Sequence, residues 1–161
     1  MTVRENIRPL ALDELALVSA LALRAKAYWG YSPEFLKACE EELSISIDEY
    51  ESDSIHFFVL ELRDDVVGYY AIRRLTQNVY ELDALFVEPS FIGKGFGGEL
   101  MQHAKEQVRG LGGNKITLQS DPNAEQFYLA AGGCIVGKQE SESIRGRYLS
   151  IIEIELCKGA A

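Results

Sequence analysis

The sequence predicts an α/β protein built on a mixed sheet, with antiparallel strands in its first half and a parallel strand pair after them. Residues 55–62 and 66–75 alternate as strands do and are separated by a short charged turn, which predicts an antiparallel hairpin. Residues 79–87 and 115–120 are two further strands with a glycine-rich turn and a helix between them, and such a unit joins parallel strands. Both kinds of pairing in a chain of 161 residues indicate one domain with one mixed sheet.

Two helices are predicted ahead of the hairpin. The chain opens with a short strand at residues 3–10, and a helix then runs from Asp13 to about Lys26 with its apolar positions at helical spacing. A segment rich in aromatic residues breaks this helix. A second helix over residues 33–43 follows, capped by Ser32 and with a proline at its first position.

The C-terminal third predicts one more helix and a closing hairpin. Asp121 caps a helix that begins with a proline and ends at a glycine pair, residues 132–133. Residues 134–138 and 147–156 are then the two strands of the hairpin, and the polar residues 139–146 form its loop.

The segment at residues 93–98, Gly-Lys-Gly-Phe-Gly-Gly, predicts an anion-binding loop. It follows a strand and opens a helix whose apolar residues recur at helical spacing as far as Leu111. Glycines let the backbone approach a ligand closely, and the unpaired amides of a helix start point outward at the positive end of the helix dipole. Phosphate or pyrophosphate is the expected ligand. A Walker loop is excluded, because Lys94 is followed by Gly95 where that motif needs Ser or Thr.

A dinucleotide site is a less favoured alternative for these glycines. Gly93, Gly95 and Gly98 match the pattern G-x-G-x-x-G, and Asp121 lies after the next strand, where a ribose-binding acid is expected. This alternative would make the chain an NAD-dependent oxidoreductase. Against it, a segment containing Pro89 separates the strand from the glycines, and no second run of alternating strands and helices follows.

Composition and charge limit the function classes. The net charge of −9 argues against nucleic acid or an anionic membrane surface as a partner and would attract a cationic amine. Cys39, Cys134 and Cys157 lie far apart and are odd in number, which favours the reducing cytoplasm. No metal ion is expected with only two histidines, and no segment has the pattern of a signal sequence or a membrane span.

Two segments together resemble motifs of the GNAT superfamily of N-acetyltransferases. Residues 92–97, Ile-Gly-Lys-Gly-Phe-Gly, are similar to motif A, Q/R-x-x-G-x-G/A, with Ile92 where the pattern has Gln or Arg. The lead-in at residues 85–89, Leu-Phe-Val-Glu-Pro, resembles the strand and proline that precede this motif. Residues 121–133, with Asn123 and the pattern Phe-Tyr-x-x-x-Gly, resemble motif B. Two motifs in the expected order and separation are more specific than either alone.

The resemblance implies a GNAT-like acyl-CoA N-acyltransferase fold. It also implies an enzyme that moves an acetyl group to a primary amine from acetyl-CoA, the acetyl thioester of coenzyme A. The amine would attack directly in a ternary complex, and a small-molecule amine is favoured over a peptide N-terminus. In this family a strand backbone pairs with the pantetheine arm and the glycine loop binds the pyrophosphate. The cofactor-binding residues implied in this way are Leu85, Phe86, Val87, Ile92, Gly93, Lys94, Gly95, Phe96, Gly97, Gly98, Asn123 and Tyr128.

Catalysis by such an enzyme needs a base for the ammonium acceptor and an acid for the leaving thiolate. Glu81 stands where family members that use a glutamate base carry it, and Asp83 lies two residues on, on the same face of the strand. Which of the two is the base stays open. Tyr128 matches the tyrosine that protonates the sulfur of coenzyme A in the family, and its place on the apolar face of a helix also suits plain core packing.

The acceptor site is expected at the aromatic segment between the first two helices, the region that shapes it in this family. Tyr28, Trp29 and Tyr31 are its candidates, and each also suits half-buried packing. Arg145 and Arg147 are weaker candidates, and a homodimer is a further family expectation. The second functional alternative is a non-catalytic CoA-binding or regulatory module on the same fold.

Overall fold

The computed structural model describes residues 5–142 and 144–156, and in this part of the chain seven strands form a single sheet. In chain order the strands are β1 (Glu5–Pro9), β2 (Ile55–Leu62), β3 (Asp65–Arg74), β4 (Val79–Val87), β5 (Lys115–Ser120), β6 (Gly133–Glu140) and β7 (Tyr148–Glu155). Their order across the sheet is β1-β2-β3-β4-β5-β7-β6.

The predicted mixed sheet is confirmed. Neighbouring strands are antiparallel except β4 and β5, which are parallel and flank the helix that follows the glycine loop. A dinucleotide fold needs a mostly parallel sheet, so the NAD-dependent alternative is not supported. The closing hairpin folds back, so that β7 lies between β5 and the edge strand β6.

Five helices in the described part of the chain cover the two faces of the sheet. They are α1 (Leu15–Ala27), α2 (Pro33–Leu43), α3 (Ile47–Glu51), α4 (Phe96–Gly110) and α5 (Glu125–Ala130). The cluster that includes α4 contains Tyr70, and the cluster that includes α1 contains Tyr69. Because adjacent strand residues point to opposite sides, the two clusters lie on opposite faces of the sheet. None of these helices has the length and apolar content of a membrane span.

Helix α4 owes its position to a regular apolar face. Leu100, Met101, Ala104 and Val108 recur at helical spacing, and each is at most 2% exposed. They pack against β2, β3, β4, β5 and β7. The helix begins directly after the glycine loop, so its N-terminus lies near the carboxyl end of β4.

The two parallel strands stay together over only a short length. Residues 79–81 of β4 pair with residues 115–117 of β5, and β4 then continues to Val87 while β5 continues to Ser120. Beyond Glu81 the side of β4 that faces β5 has no strand partner in the described residues. The separation of these strands leaves room for a ligand at the centre of the sheet.

The structure differs from the sequence prediction mainly at element ends. Helix α3 was not predicted, because it is a five-residue helix that depends on a capping box between Ser46 and Glu49. The chain at residues 12–14 forms a 3₁₀ turn before α1, where a helix start at Asp13 is predicted. Strand β6 extends to Glu140, beyond the predicted end. Residues 3 and 4 of the predicted first strand lie outside the described residues.

Candidate functional site

A cleft of about 900 Å³ opens where β4 and β5 separate. Its lining includes residues from β4, the glycine loop, α5 and the turn before it, the loop between β6 and β7 and the end of α1. Strands β2 and β3 and the stretch from α2 to α3 contribute further residues. Trp29 adds an aromatic side chain from the segment after α1. The cleft therefore joins the predicted anion-binding loop to the predicted acceptor region.

The glycine loop forms one end of the cleft. Gly93 and Gly95 have φ angles of +83° and +87°, a left-handed conformation that residues with a Cβ adopt only with strain. This conformation lets α4 begin at Phe96 with Gly95 as its cap. The amide of Glu99 donates to the Gly95 carbonyl oxygen over 3.2 Å. The three amides before it precede the hydrogen-bond ladder of the helix and are available to an anion.

The start of α4 is closely packed on one side. A Cβ placed on Gly97 would lie 3.2 Å from Cε1 of Phe127, which also lines the cleft. A larger residue at position 97 would therefore displace the Phe127 ring. The ammonium of Lys94 lies 5.4 Å from the centre of the Phe91 ring and outside the cleft lining. At this end of the cleft the backbone amides, and not this lysine, are therefore the groups that could bind an anion.

Two neighbouring carboxyl groups, those of Glu81 and Asp83, line the cleft from β4. Burial of Glu81, its hydrogen bond with Asp83 and the negative charge of Asp83 raise the pKa of Glu81 to about 7. Across the sheet, Nε of Arg73 donates to Oδ2 of Asp83 over 2.9 Å. A carboxyl group with a pKa close to neutrality can accept and release a proton at physiological pH.

Tyr128 belongs both to the core and to the cleft. It is 8% exposed, packs in the cluster that contains α4, and lines the cleft beside Phe127. Burial, and after it the negative charge of Asp121, raises the pKa of Tyr128. Its hydroxyl therefore keeps its proton at neutral pH and can donate it to a developing anion in the cleft.

A cluster of hydrogen-bonded side chains centred on Asp121 also borders the cleft. Nζ of Lys26 lies 2.8 Å from Oδ2 of Asp121, and Nη2 of Arg147 lies 3.2 Å from the same oxygen. The Tyr31 hydroxyl donates to the carboxylate and lies 2.9 Å from both of its oxygens. The side chains of Lys26, Asp121 and Arg147 are 15%, 13% and 17% exposed. Charged side chains that are this buried are stable only while each has a partner of opposite charge.

Asn123 completes this Asp121 cluster. Its Nδ2 donates to the Tyr31 hydroxyl over 2.9 Å and to Oδ1 of Asp121 over 3.0 Å. Burial opposes ionisation of Asp121. The hydrogen bonds from the Lys26 side chain and from the backbone amide of Asn123 outweigh this effect, so the pKa of Asp121 is lowered. The cluster joins the connection between α1 and α2 to the start of α5 and to the residue before β7.

The cleft carries an excess of negative charge. Its acidic lining residues are Glu41, Glu42, Glu49, Glu81, Asp83, Asp121 and Glu142, and its basic ones are Lys26, Arg73 and Arg147. Each of the three basic side chains forms an ion pair with a carboxylate of the lining. A cationic ligand is therefore favoured at the acceptor end. Among the described residues, no three His, Cys, Asp or Glu side chains are grouped so that they could hold a metal ion.

Most of the predicted site residues meet in this cleft. Those in its lining are Trp29, Glu81, Asp83, Leu85, Phe86, Val87, Ile92, Gly93, Gly95, Gly97, Gly98, Asn123 and Tyr128. Outside the lining are Tyr28, Tyr31, Lys94 and Phe96. Phe96 packs near Phe91 and the core, Tyr28 is 53% exposed, and Tyr31 reaches the site through its hydroxyl. Of the two weaker candidates, Arg147 lines the cleft and Arg145 does not.

Three of the charged residues that line the cleft and belong to its contacts carried no motif signal. Lys26 ends a helix, Arg73 lies in a hairpin strand, and Glu142 lies in a polar loop, all positions where a charged residue is ordinary. Asp121 was visible in the sequence as a helix cap, and it does accept a hydrogen bond from the Asn123 amide. Only the tertiary structure brings these four side chains to one cleft.

The model of the acetyltransferase (GNAT) family matches residues 24–132, more than half of the chain. The match begins in α1 and ends after α5, so it includes the glycine loop, both cleft carboxyl groups of β4 and Tyr128. No curated protein sequence is significantly similar to the chain.

Several solved structures share the fold. The PaiA N-acetyltransferase from Thermoplasma acidophilum, in complex with coenzyme A, has a TM-score of 0.77 and 17% identity over 94% of this chain and 99% of its own. The spermidine N-acetyltransferase from Vibrio cholerae, in complex with CoA and spermine, has a TM-score of 0.72 and 21% identity over 94% and 95%. The ribosomal-protein-S18-alanine N-acetyltransferase from Escherichia coli has a TM-score of 0.72 and 15% identity over 98% and 97%. At these identities the likeness shows the fold.

Proposed function

Because the chain belongs to the acetyltransferase (GNAT) family, we propose that it moves an acetyl group from acetyl-CoA to the primary amine of a small molecule. The amine attacks the thioester directly while both substrates are bound, without an acyl-enzyme. The observation that carries this proposal is the content of one cleft: a helix start suited to an anion, a carboxyl group with a near-neutral pKa and a protonated tyrosine.

The cleft suits two parts of acetyl-CoA, its pyrophosphate and its pantetheine arm. The free amides at the start of α4 suit its pyrophosphate, and the left-handed Gly93 and Gly95 keep this approach open. Among the described residues no strand pairs with β4 beyond Glu81 on the side that faces β5, so its backbone there can pair with the extended pantetheine arm. The relatives from T. acidophilum and V. cholerae both have coenzyme A bound. We assign Leu85 to Val87 to the arm and Ile92 to Gly98 to the pyrophosphate.

Acetyl-CoA supplies an activated acetyl group: transfer forms a carbon–nitrogen bond, breaks the carbon–sulfur bond and leaves the thiol of coenzyme A. Glu81 takes the proton that the ammonium must lose before its nitrogen can attack, and it releases this proton to water. Tyr128 donates its hydroxyl proton to the leaving sulfur and regains one from solvent. Near pH 7 about half of Glu81 is the carboxylate that accepts a proton, since its pKa is about 7, and Tyr128 keeps its proton, since its pKa is raised.

The charge of the cleft favours a small cationic acceptor. Its lining holds more acidic than basic side chains, so its net negative charge attracts an ammonium group. Trp29 offers an aromatic face to the body or the charge of such a ligand. Among the relatives, the V. cholerae enzyme is named for spermidine and the E. coli enzyme for a ribosomal-protein alanine. The excess of carboxylates favours the polyamine type.

A panel of acceptors tests the proposal. The purified chain is given acetyl-CoA with spermidine, an aminoglycoside or a peptide that begins with alanine, and thiol release and product mass are measured. We expect kcat/KM for one of the two small polycations to exceed that for the peptide by tenfold or more, about 1.4 kcal/mol in transition-state binding. A preference for the peptide would contradict the small-molecule assignment.

A non-catalytic CoA-binding module is the second candidate. It is favoured by Ile92, which lines the cleft at the glycine loop and has no donor group where the family pattern has Gln or Arg. Binding of coenzyme A with no thiol release for any amine of the panel would support this candidate over the enzyme.

A further inference from the structure

Arg73 lies opposite Glu81 in the sheet but binds a different carboxylate. In the register of β3 and β4, Arg73 is the direct partner of Glu81. Its Nε nevertheless lies 2.9 Å from Oδ2 of Asp83, and its Nη2 lies 3.8 Å from Oε2 of Glu49 in α3. In the described part of the chain Glu81 takes part in no ion pair.

A bulge in β4 accounts for this choice of partner. Ile72 pairs with Leu82 and Ala71 pairs with Ala84, so Asp83 is the extra residue of β4. A bulge changes the direction of the side chain that it carries. Asp83 is thereby within hydrogen-bonding reach of Arg73 on the neighbouring strand and of Glu81 on its own strand.

The charges around Glu81 show why the position of Arg73 matters. Asp83 on the same strand, Arg73 on β3 and Glu142 from the loop after β6 all act on Glu81, while Glu49 of α3 faces Arg73. An arginine paired directly with a carboxylate lowers the pKa of that carboxyl group and makes it a weaker base. While the guanidinium binds Asp83, its charge lowers the pKa of Glu81 without a direct ion pair, which is a weaker effect than direct pairing would have.

We propose that Arg73 and Asp83 form a positioning pair for Glu81. Asp83 holds the guanidinium of Arg73 away from Glu81, which leaves Glu81 as the carboxylate that accepts the proton of the amine. This inference rests on the proposed acetyl transfer and decides between the two neighbouring carboxyl groups of β4. Neither Arg73 nor Asp83 exchanges a proton with substrate in this arrangement.

Titration of Glu81 in variants tests the pair. Carboxyl ¹³C NMR measures the titration midpoint of Glu81 in the wild type, in Asp83→Asn, in Arg73→Gln and in the double variant. The Glu81 signal is assigned by its absence in Glu81→Gln. In Asp83→Asn the freed guanidinium reaches Glu81 and the negative neighbour is lost, so the midpoint of Glu81 falls by about one pH unit or more. Adding Arg73→Gln to Asp83→Asn raises that midpoint again by about half a unit or more. Arg73→Gln alone raises it above the wild-type value.

Arg74→Gln is the matched control. Arg74 is the next residue of β3, is exposed and lies outside the cleft lining, with its Nε donating to the Thr76 carbonyl oxygen. It is expected to leave the Glu81 midpoint unchanged. If the double variant titrates as Asp83→Asn does, or Arg73→Gln titrates as Arg74→Gln does, the inference is overturned.

Measurements of activity distinguish failure of this inference from failure of the proposed function. The acidic limb of kcat/KM against pH is expected to move in the same order as the NMR midpoints. Failure of the wild-type chain to acetylate any amine would defeat the proposed function. Transfer by the wild type with the same acidic limb in Arg73→Gln would defeat only the positioning pair. If Arg73→Gln does not fold, Arg73→Met, which keeps the aliphatic part of the side chain and removes the charge, replaces it in both measurements.

Discussion

The Tyr31 hydroxyl donates to Asp121 and lies 2.9 Å from both oxygens of its carboxylate, joining segments that are 90 residues apart in sequence. Tyr31 lies in the connection between α1 and α2, and Asp121 follows β5. Lys26 and Arg147 bind the same carboxylate from two further segments. These contacts fix the segment after α1, which carries Trp29, to the end of β5, next to the proposed cofactor site.

Asp121→Asn should destabilise the protein by about 2 to 4 kcal/mol at pH 7. The substitution leaves the ammonium of Lys26 and the guanidinium of Arg147 largely buried without their carboxylate. Because folding lowers the pKa of Asp121, its contribution is present above the ordinary aspartate pKa and is lost as the pH falls through the folded value. Urea unfolding at pH 7 and near pH 3 should therefore show a gap between variant and wild type that narrows in acid.

Glu88→Gln is the comparison for the Asp121 cluster. Glu88 binds Arg24 through two hydrogen bonds of 2.8 and 2.7 Å, but the Arg24 side chain is 53% exposed. Water screens this pair, so its loss should cost less than about 1 kcal/mol. If Asp121→Asn and Glu88→Gln lowered the free energy of unfolding equally, burial would not make the Asp121 cluster more stabilising than the exposed pair.

The order of strands and helices could be predicted because local patterns determine it. Alternation of apolar and polar residues predicted strands β2 to β5. The glycine loop and the apolar face of α4 predicted that β4 and β5 are parallel. Helix α3 escaped prediction because five residues contain too little periodicity. The insertion of β7 between β5 and β6 is set by pairing over long distances, which the hairpin pattern alone does not specify.

The site could be predicted where chemistry depends on backbone conformation or on a motif. Gly93, Gly95 and Tyr128 belong to segments with recognisable spacing, and all three line the cleft. Arg73 and Lys26 could not be found in this way, because their roles depend on which carboxylates the folded chain brings to them. The bulge at Asp83 likewise has no signal in the sequence, although Asp83 is the carboxylate that Arg73 binds.

Gly95→Glu should abolish thermal stabilisation by acetyl-CoA. At a hundred times its Kd a ligand stabilises a protein by about 2.7 kcal/mol, which raises the Tm of a chain of this size by about 5 to 10 °C. Gly95 has a φ of +87° and caps α4, so a glutamate there strains the turn and places a negative charge at the anion site. Differential scanning fluorimetry with acetyl-CoA and with coenzyme A measures both shifts.

Gly110→Glu makes the same change at the other end of α4. Gly110 is the last residue of the helix, and nothing lies within 4 Å of a Cβ placed there. This variant should keep the full shift with acetyl-CoA. Loss of the shift in both variants would point to a general effect on α4 and against the glycine loop as the binding site.

Tyr128→Phe should lower kcat by about 10²-fold and change KM for acetyl-CoA little. The ring stays in the core, while the hydroxyl that would protonate the sulfur is removed. Tyr70→Phe is the control, since Tyr70 is a buried tyrosine whose hydroxyl lies 2.7 Å from Nδ1 of His103 and outside the cleft lining. It should cost about 1 kcal/mol of stability and leave kcat unchanged. A normal kcat in Tyr128→Phe would leave Tyr128 as a packing residue only.

Glu81→Gln should lower kcat/KM by about 10² to 10⁴-fold and remove its acidic limb. Glu81 acts as a carboxylate, so in the wild type kcat/KM should rise with pH through the pKa of Glu81, about 7, and fall tenfold for each pH unit well below it. Glutamine does not titrate, so the residual activity of the variant should be flat across that range. Glu153→Gln, which changes a β7 carboxylate that pairs with Lys115 outside the cleft, should keep both the rate and the limb. An acidic limb that persists near pH 7 in Glu81→Gln would transfer the role of base to Asp83 or to another group of the cleft.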